Sequence, residues 1–351
     1  MKIAYFVTSL KDVSSVHVVL DLVTSMESHG HSCKVFYFKD IEDLSFPCTV
    51  EKITLTSKIA FDQFDVVHTH GILPDLYSFL HKPLHSNTLF VNTIHSILHQ
   101  DYRNSFGIIK GKFLARMHLL LMKRIDVNVC MSKVAVDYYS RYLFPAKLSY
   151  SYNTKVIDKS QLVDKEDEDV LNRFKHQFKY VCGSICIVSD IKGLDQIIQA
   201  MSYNTDFGYI IIGDGPAVGN LKEQALHLGV SDRILFLGSK KNAYKFLPYF
   251  DVFCMPSHSE GCPVSLLEAA AFSKAIVTTD IPIFLEMFDN QEIVVFAENQ
   301  VKQCAKAIEE AYLQKTSLGK KAKSKFDKSY TFEHFYNRYL NIYTKKQVKR
   351  S

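Results

Sequence analysis

The stretch PSHSEGCPVSLLEAAAFSKAIVTTD, residues 256–280, carries the fold in miniature. The apolar run DVFCM leads into it and reads as a buried strand; VSLLEAAAF then reads as a helix and AIVTTD as the next strand. Strand, helix and strand joined this closely predict a parallel sheet covered by helices. Pro263 suits the first helical position, where its missing N–H would be unsatisfied anyway. The amides of Val264 and Ser265 then point out of the helix start with the positive end of its dipole, which makes a phosphate site. Glu260 lies in the loop before that helix, and Glu268 more than a turn inside it. A ligand with a diphosphate at its middle could give hydroxyls to both carboxylates, one at each end, and sugar nucleotides have that shape. The spacing alone fits equally well a helix start with an ordinary surface glutamate on each side.

The alternation continues outward. YVCGSICIVS, YIIIGDG, RILFLGS and VFCMPS read as strands, with LDQIIQAM and AVGNLKEQALHLG as helices between them. The first half repeats the pattern, with KIAYFVTSL, CKVFYFKD, FDVVHTHG, LFVNTIHS, VNVCMS and KLSYSYN as strands and SSVHVVLDLVTSMESHGH as a helix ended near Gly30. Between the halves, DKSQLVDKEDEDVLNRFKHQFK is highly charged and reads as a linker plus a solvated helix. A helical tail runs from Phe332 to about Lys346. The prediction is an α/β protein of two Rossmann-like, doubly wound domains facing one another across a cleft. Their expected bounds are 1–157 and 158–332, with the C-terminal helix, about 333–351, packing back on the first. Polar residues gather at the strand C-termini, where open α/β sheets place their ligands.

Length agrees, since 351 residues exceed one ordinary core. A net charge of +5 is mild, and no RNA-binding signature, zinc-finger spacing or uniformly basic domain points to nucleic acid. The eight cysteines are scattered singly, and Cys182 and Cys186 lack a second pair at metal-ligand spacing. Reduced, buried thiols in a cytosolic protein are expected. KIAYFVTSL after Met1 is too short and wrongly flanked for a signal peptide. No run of about 18 apolar residues is present to span a membrane.

Residues 213–282, GDGPAVGNLKEQALHLGVSDRILFLGSKKNAYKFLPYFDVFCMPSHSEGCPVSLLEAAAFSKAIVTTDIP, hold a G-D-G-P turn, RILFLG, PSHSEG, a pair of glutamates separated by seven residues and a TTD strand end. KGLDQIIQAM supplies a lysine-glycine helix start. In these features the second half resembles the retaining glycosyltransferases of family 4, which have the GT-B fold. The first half resembles them more loosely, through MKIAYFVTSL, HGH, FDVVHTHG, TIH and VNVCMSK. The resemblance implies that Glu268 holds ribose hydroxyls and Glu260 hydroxyls of the transferred sugar. It implies that Lys192 binds the diphosphate and stabilises the departing nucleotide. Gly261, Cys262, Pro263 and Val264 would form the phosphate- and sugar-facing turn, and His95 would reach the donor sugar. Asp214 and Gly215 would shape the turn under the nucleotide, with Gly238 and Ser239 near the base. His68 and His70 are read as structural.

Three positions depart from the family pattern. Ser184 stands where the family carries an arginine, so one of two cations on the leaving diphosphate is missing. Ser14 and Ser15 replace the glycine pair of the first loop; serine can still offer hydroxyls to the donor. Thr154 follows Asn153 where a glycine is common. Both glutamates and the lysine remain, which favours an active enzyme over a degenerate one. The D-x-D string Asp167–Asp169 lies in the charged linker without a leading apolar strand and reads as a solvated face. IIIGDGPAVG does not keep the spacing of a dinucleotide-binding loop. From Arg103 to Arg124 the chain carries several cations and no acid among Phe, Ile, Leu and Met, the pattern of a basic amphipathic helix at an anionic membrane or of an ordinary core-packed helix.

The function these readings imply is retaining transfer of a hexose from a nucleoside-diphosphate sugar, with UDP as the nucleotide. The implied acceptor is a hydroxyl of a growing bacterial surface glycan, lipid-linked or lipopolysaccharide core. No metal and no cofactor are expected beyond the donor, no side chain in the motifs looks like a dedicated nucleophile, and the location is cytoplasmic with peripheral membrane contact through 103–124. The alternatives are an epimerase or phosphorylase on the same fold, and an inactive sugar-nucleotide-binding partner.

Overall fold

The computed structural model describes residues 1–344; residues 345–351, which hold the terminal KKQVKRS cations and the end of the expected C-terminal helix, lie outside the described residues. The chain divides into two compact units, Met1–Thr154 with the C-terminal segment from Phe332, and Lys155–Thr331.

The first unit runs β1 (Lys2–Val7), α1 (Ser14–Ser28), β2 (Ser32–Tyr37), β3 (Thr49–Lys52), β4 (Val66–His70), α2 (Ile72–His81), β5 (Leu89–Ile94), α3 (Leu98–Phe106), α4 (Ile108–Met122), β6 (Val127–Cys130), α5 (Lys133–Tyr139) and β7 (Leu148–Tyr150). The second runs α6 (Lys165–Lys175), β8 (Tyr180–Ile185), α7 (Leu194–Ala200), β9 (Phe207–Ile212), α8 (Val218–His227), β10 (Ile234–Phe236), β11 (Val252–Met255), α9 (Val264–Ala271), β12 (Ala275–Thr279), α10 (Pro282–Met287), β13 (Val294–Phe296), α11 (Val301–Leu313) and α12 (Lys315–Ser329). Helix α13 (Phe332–Thr344) then rejoins the first unit.

Both sheets are wholly parallel. Their strand orders are β3-β2-β1-β4-β5-β6-β7 and β10-β9-β8-β11-β12-β13. Each unit is therefore a Rossmann-like, doubly wound layer, and the direction of winding reverses between β1 and β4 and again between β8 and β11. Ligands of such sheets bind at the strand C-termini flanking that reversal. Burial explains why the central strands were legible: β4, β5, β8, β9, β11 and β12 are buried along their whole length, so they read as mainly apolar runs, interrupted by His68 and His70 in β4 and Asn92 in β5. Strand β3, TVEK, is exposed throughout at the sheet edge and carries no such signal, and β13 has only three residues.

Helix α13 packs with α1 against one face of the first sheet, burying Phe335, Tyr336, Tyr339, Ile342 and Tyr343 beside Tyr5, Val19 and Leu22. Full burial of an aromatic ring of this kind contributes about 1.5–3 kcal/mol. The Tyr343 hydroxyl needs a partner there and lies 2.7 Å from His68 Nδ1; His68 Nε2 is 2.8 Å from Thr93 Oγ1. His68 thus has both ring nitrogens engaged inside the core, and burial holds its pKa well below the ordinary range.

Two local readings are corrected. Pro263 is the N-cap, in an extended conformation, and the helix begins at Val264. The basic stretch is not one helix: Gly107, at φ 79°, separates α3 from α4. The D-x-D string lies in the first turn of α6, where Asp167 pairs with Lys240 at 2.6 Å and Glu168 accepts from the Tyr249 hydroxyl.

Candidate functional site

In the second unit the reactive side chains come from the loops that follow β8 and β11. Gly193 makes their meeting possible. It sits at φ 61°, and a Cβ there would lie 2.2 Å from the Pro256 carbonyl oxygen, so only glycine lets the two loops touch. The His258 amide donates to the Ile191 carbonyl at 2.9 Å and Gln196 Nε2 to that of Pro256 at 2.9 Å, fixing the contact. As a result Lys192 Nζ reaches Glu260 Oε1 at 2.7 Å, and the Ser257 hydroxyl donates to the same oxygen at 2.7 Å. A cation and a carboxylate, both mostly shielded from solvent, therefore share one point at the sheet's C-terminal edge. His258 extends the arrangement by pairing through Nδ1 with Glu298.

Gly261, Cys262 and Pro263 carry the chain from Glu260 to α9, whose N-cap makes no side-chain hydrogen bond. The amides of its first turn are unsatisfied within the helix and can receive an anion. Glu268, one turn further on, is only 8 % exposed. Burial pushes its carboxyl up to about 7, with Lys155 pulling the other way. A carboxylate kept this dry gains strongly from ligand hydroxyls.

Asp214 and Gly215 form the turn after β9. The Asp214 carboxylate accepts from the Gly215 amide at 2.7 Å, and the Asp214 carbonyl from the Val188 amide at 2.9 Å. The Gly213 amide donates to the Gly238 carbonyl at 2.8 Å, which places Gly238 beside this turn, with Ser239 exposed after it. Ser184 differs. It is buried in β8, where its hydroxyl donates to the Cys254 carbonyl at 2.6 Å and lies 2.7 Å from the Tyr209 hydroxyl. The expectation that it faces a donor is corrected: the strand turns it into the sheet. Ser257 and Lys155 were not foreseen; Ser257 sat within the PSHSEG string, while Lys155 had no signal.

In the first unit His95 follows β5, with Nε2 3.0 Å from Nδ1 of the buried His70. Burial pushes His95 down to about 4, opposed by Asp75, so it stands as a neutral hydrogen-bonding ring at pH 7. Ser14 and Ser15 open α1; Ser14 is exposed, and Ser15 shares a cavity wall with His70 and His95. All eight cysteines are free thiols. Among the described residues no cluster of three or more His, Cys, Asp or Glu could hold a metal, and no helix is long and apolar enough to cross a membrane.

Residues 172–328 match the family model described as glycosyl transferases group 1, and residues 46–154 match glycosyltransferase family 4; together they take in most of the chain. The chain is 28% identical over 358 aligned positions to the O-antigen biosynthesis glycosyltransferase WclY of Escherichia coli, covering 98% of each. It is 21% identical over 240 positions to an E. coli UDP-Gal:alpha-D-GlcNAc-diphosphoundecaprenol alpha-1,3-galactosyltransferase, covering 65% of this chain and 61% of that one. Among solved structures, HepE from Anabaena in complex with UDP superposes with a TM-score of 0.79 at 15% identity, covering 97% and 99% of the two chains.

Proposed function

The chain belongs to the family 4 glycosyltransferases with the GT-B fold, and from that premise we propose that it transfers a hexose from a UDP-sugar, with retention, to a hydroxyl of a growing bacterial surface glycan. The observation that carries the proposal is the 2.7 Å pairing of Lys192 with Glu260 beside the start of α9, with Glu268 buried a turn beyond. Lys192 and the α9 amides hold the diphosphate and neutralise the charge that grows on it as the glycosidic bond breaks. Glu260 accepts from hydroxyls of the transferred sugar, and Glu268 from those of the ribose. The leaving phosphate oxygen takes the acceptor's proton and guides attack to the face it has just left, so no side chain serves as nucleophile and no metal is needed. With Ser184 inside the sheet, Lys192 carries the charge without a second cation from that strand, and turnover is slow. The UDP assignment draws on the UDP complex of HepE and on the galactosyltransferase named above; the surface-glycan acceptor draws on WclY.

The place of work in this reading is the cytoplasmic face of the membrane. Phe106, Ile108, Ile109, Phe113 and Leu120 are exposed on α3 and α4 among Arg103, Lys110, Lys112 and Arg116, a combination suited to anionic lipid. The test is transfer from UDP-hexoses to a synthetic α-N-acetylglucosaminyl diphospholipid, read by the anomeric proton coupling of the product. An α-product from an α-linked donor is expected. A β-product, epimerisation of the donor without an acceptor, or a requirement for inorganic phosphate would replace this reading.

A further inference from the structure

One buried side chain ties together the loops from which the site in the second unit is built. Gln196, in the first turn of α7, is only 1% exposed. Its Nε2 donates to the Pro256 carbonyl, in the loop after β11, at 2.9 Å. Its Oε1 accepts from the Asn299 amide, in the loop after β13, at 2.7 Å. These partners fix the orientation of the side-chain amide, since a backbone carbonyl only accepts and a backbone N–H only donates. The transfer chemistry above assigns this residue no part.

The Pro256 oxygen is the one against which Gly193 packs, and a Cβ on Gly193 would also lie 2.7 Å from Gln196 Nε2. Gln196 therefore grips the seat of the loop contact rather than its margin. Lys192 stands four residues before it, so one short segment carries both the lysine and the group that holds the loop of the lysine's partner. Across the contact, Ser257 follows Pro256 directly. Its hydroxyl donates to Glu260 Oε1 at 2.7 Å, and its carbonyl accepts from Thr279 Oγ1 at 2.6 Å.

The other end of the amide reaches the same loop by a second route. Asn299 has a left-handed backbone, at φ 62°, and is fixed by its bond to Gln196. Glu298 beside it pairs with His258 Nδ1, and the Glu298 amide donates to Asp280 Oδ1 at 3.1 Å. The loop bearing Glu260 is thus held at Pro256 by Gln196 itself and at His258 through a neighbour of the residue that Gln196 fixes. Loss of the amide deprives the buried Pro256 carbonyl of this donor and the Asn299 N–H of its acceptor, which favours a shift of both loops.

We propose that Gln196 is a positioning residue for the transfer step, holding the Pro256–Glu260 loop so that Glu260 meets Lys192. Its effect on rate rests on the glycosyl-transfer reading; its effect on geometry rests on the loop contacts alone. Two measurements on the full chain test it. The first is transfer from a UDP-hexose to the α-N-acetylglucosaminyl diphospholipid by the wild type, Gln196→Met, Lys192→Gln and the double variant. The second needs no substrate. It is brief labelling with acetic anhydride, with the acetyl on Lys192 compared by peptide mass spectrometry with that on the exposed Lys321 and Lys328.

Gln196→Met lowers kcat about 10- to 100-fold, the scale of a misplaced reacting group, while KM for the donor changes much less. In the Lys192→Gln background the same substitution costs little, because the group it positions is gone. Lys192, no longer held by Glu260, labels in Gln196→Met as readily as in Glu260→Gln, with Lys321 and Lys328 unchanged. If Gln196→Met does not fold, Gln196→Glu keeps an acceptor for the Asn299 amide and loses only the donor to Pro256, and the same results are expected. An equal loss of kcat in both backgrounds, or labelling of Lys192 that stays at the wild-type level, would overturn the assignment. If the wild type transfers no sugar, the transfer reading falls, and the labelling alone decides whether Gln196 holds the pair.

Discussion

Gly193 lies against the Pro256 carbonyl so closely that a Cβ would stand 2.2 Å from it, and this contact sets Lys192 beside Glu260. The position of the cation therefore depends on a residue with no side chain. Gly193→Ala must move one loop away from the other and also strain a left-handed backbone, at a cost of about 1–3 kcal/mol. We expect turnover to fall by more than the lost stability explains at temperatures where the variant remains folded, measured by initial rates alongside a thermal melt.

Lys192→Gln keeps a hydrogen-bond donor but removes the charge. If the lysine stabilises the departing diphosphate, kcat falls on the order of 100-fold or more while KM for the donor changes much less. A change confined to KM would make the lysine a binding residue only.

Glu268 gives two pH dependences of opposite sense. Its carboxyl is raised from about 4.5 to about 7 by burial, so the folded unliganded protein holds the proton more tightly than the unfolded chain. The contribution of Glu268 to stability is therefore greatest below about 4.5 and is lost as pH rises to about 7, by on the order of 3 kcal/mol. Glu268→Gln removes that loss and should melt higher than the wild type at pH 8. Ribose hydroxyls donate to the ionised carboxylate, so UDP affinity of the wild type should rise through pH 7 more steeply than that of Glu268→Gln, in which only the ligand's own terminal phosphate, ionising at about 6, changes charge. Calorimetry across this range checks both.

The exposed apolar residues of α3 and α4 give a test of membrane contact. Ile109 is 88% and Phe113 62% exposed, so replacing both with aspartate leaves the core intact. Flotation with vesicles rich in anionic lipid should fall about tenfold or more, and wild-type binding should weaken with salt. Unchanged flotation would make this face an ordinary solvated one.

How much of this the sequence disclosed follows from burial. The central strands are buried on both faces and stand out as apolar runs, so both sheets could be drawn from KIAYFV, VVHTH, YVCGSI and FGYIII. The edge strand TVEK is exposed at every position and could not. Glu260 and Glu268 could be singled out because loop and helix start bring them together over a short span of chain, whereas Lys192 stands 68 residues from Glu260 and rested on the resemblance carried by KGLDQIIQAM. Ser184 was misplaced because alternation along β8 decides which way a side chain faces, and a sequence match to an arginine position does not.

The most direct measurement of the central claim is calorimetric titration of UDP, GDP and ADP into the wild type and Glu268→Ala. The account predicts that UDP binds, that GDP and ADP bind more weakly, and that the substitution weakens UDP by about 1.5–3 kcal/mol, the scale of hydrogen bonds to a charged group. Absence of UDP binding at millimolar concentration, or UDP binding that Glu268→Ala leaves unchanged, would contradict it.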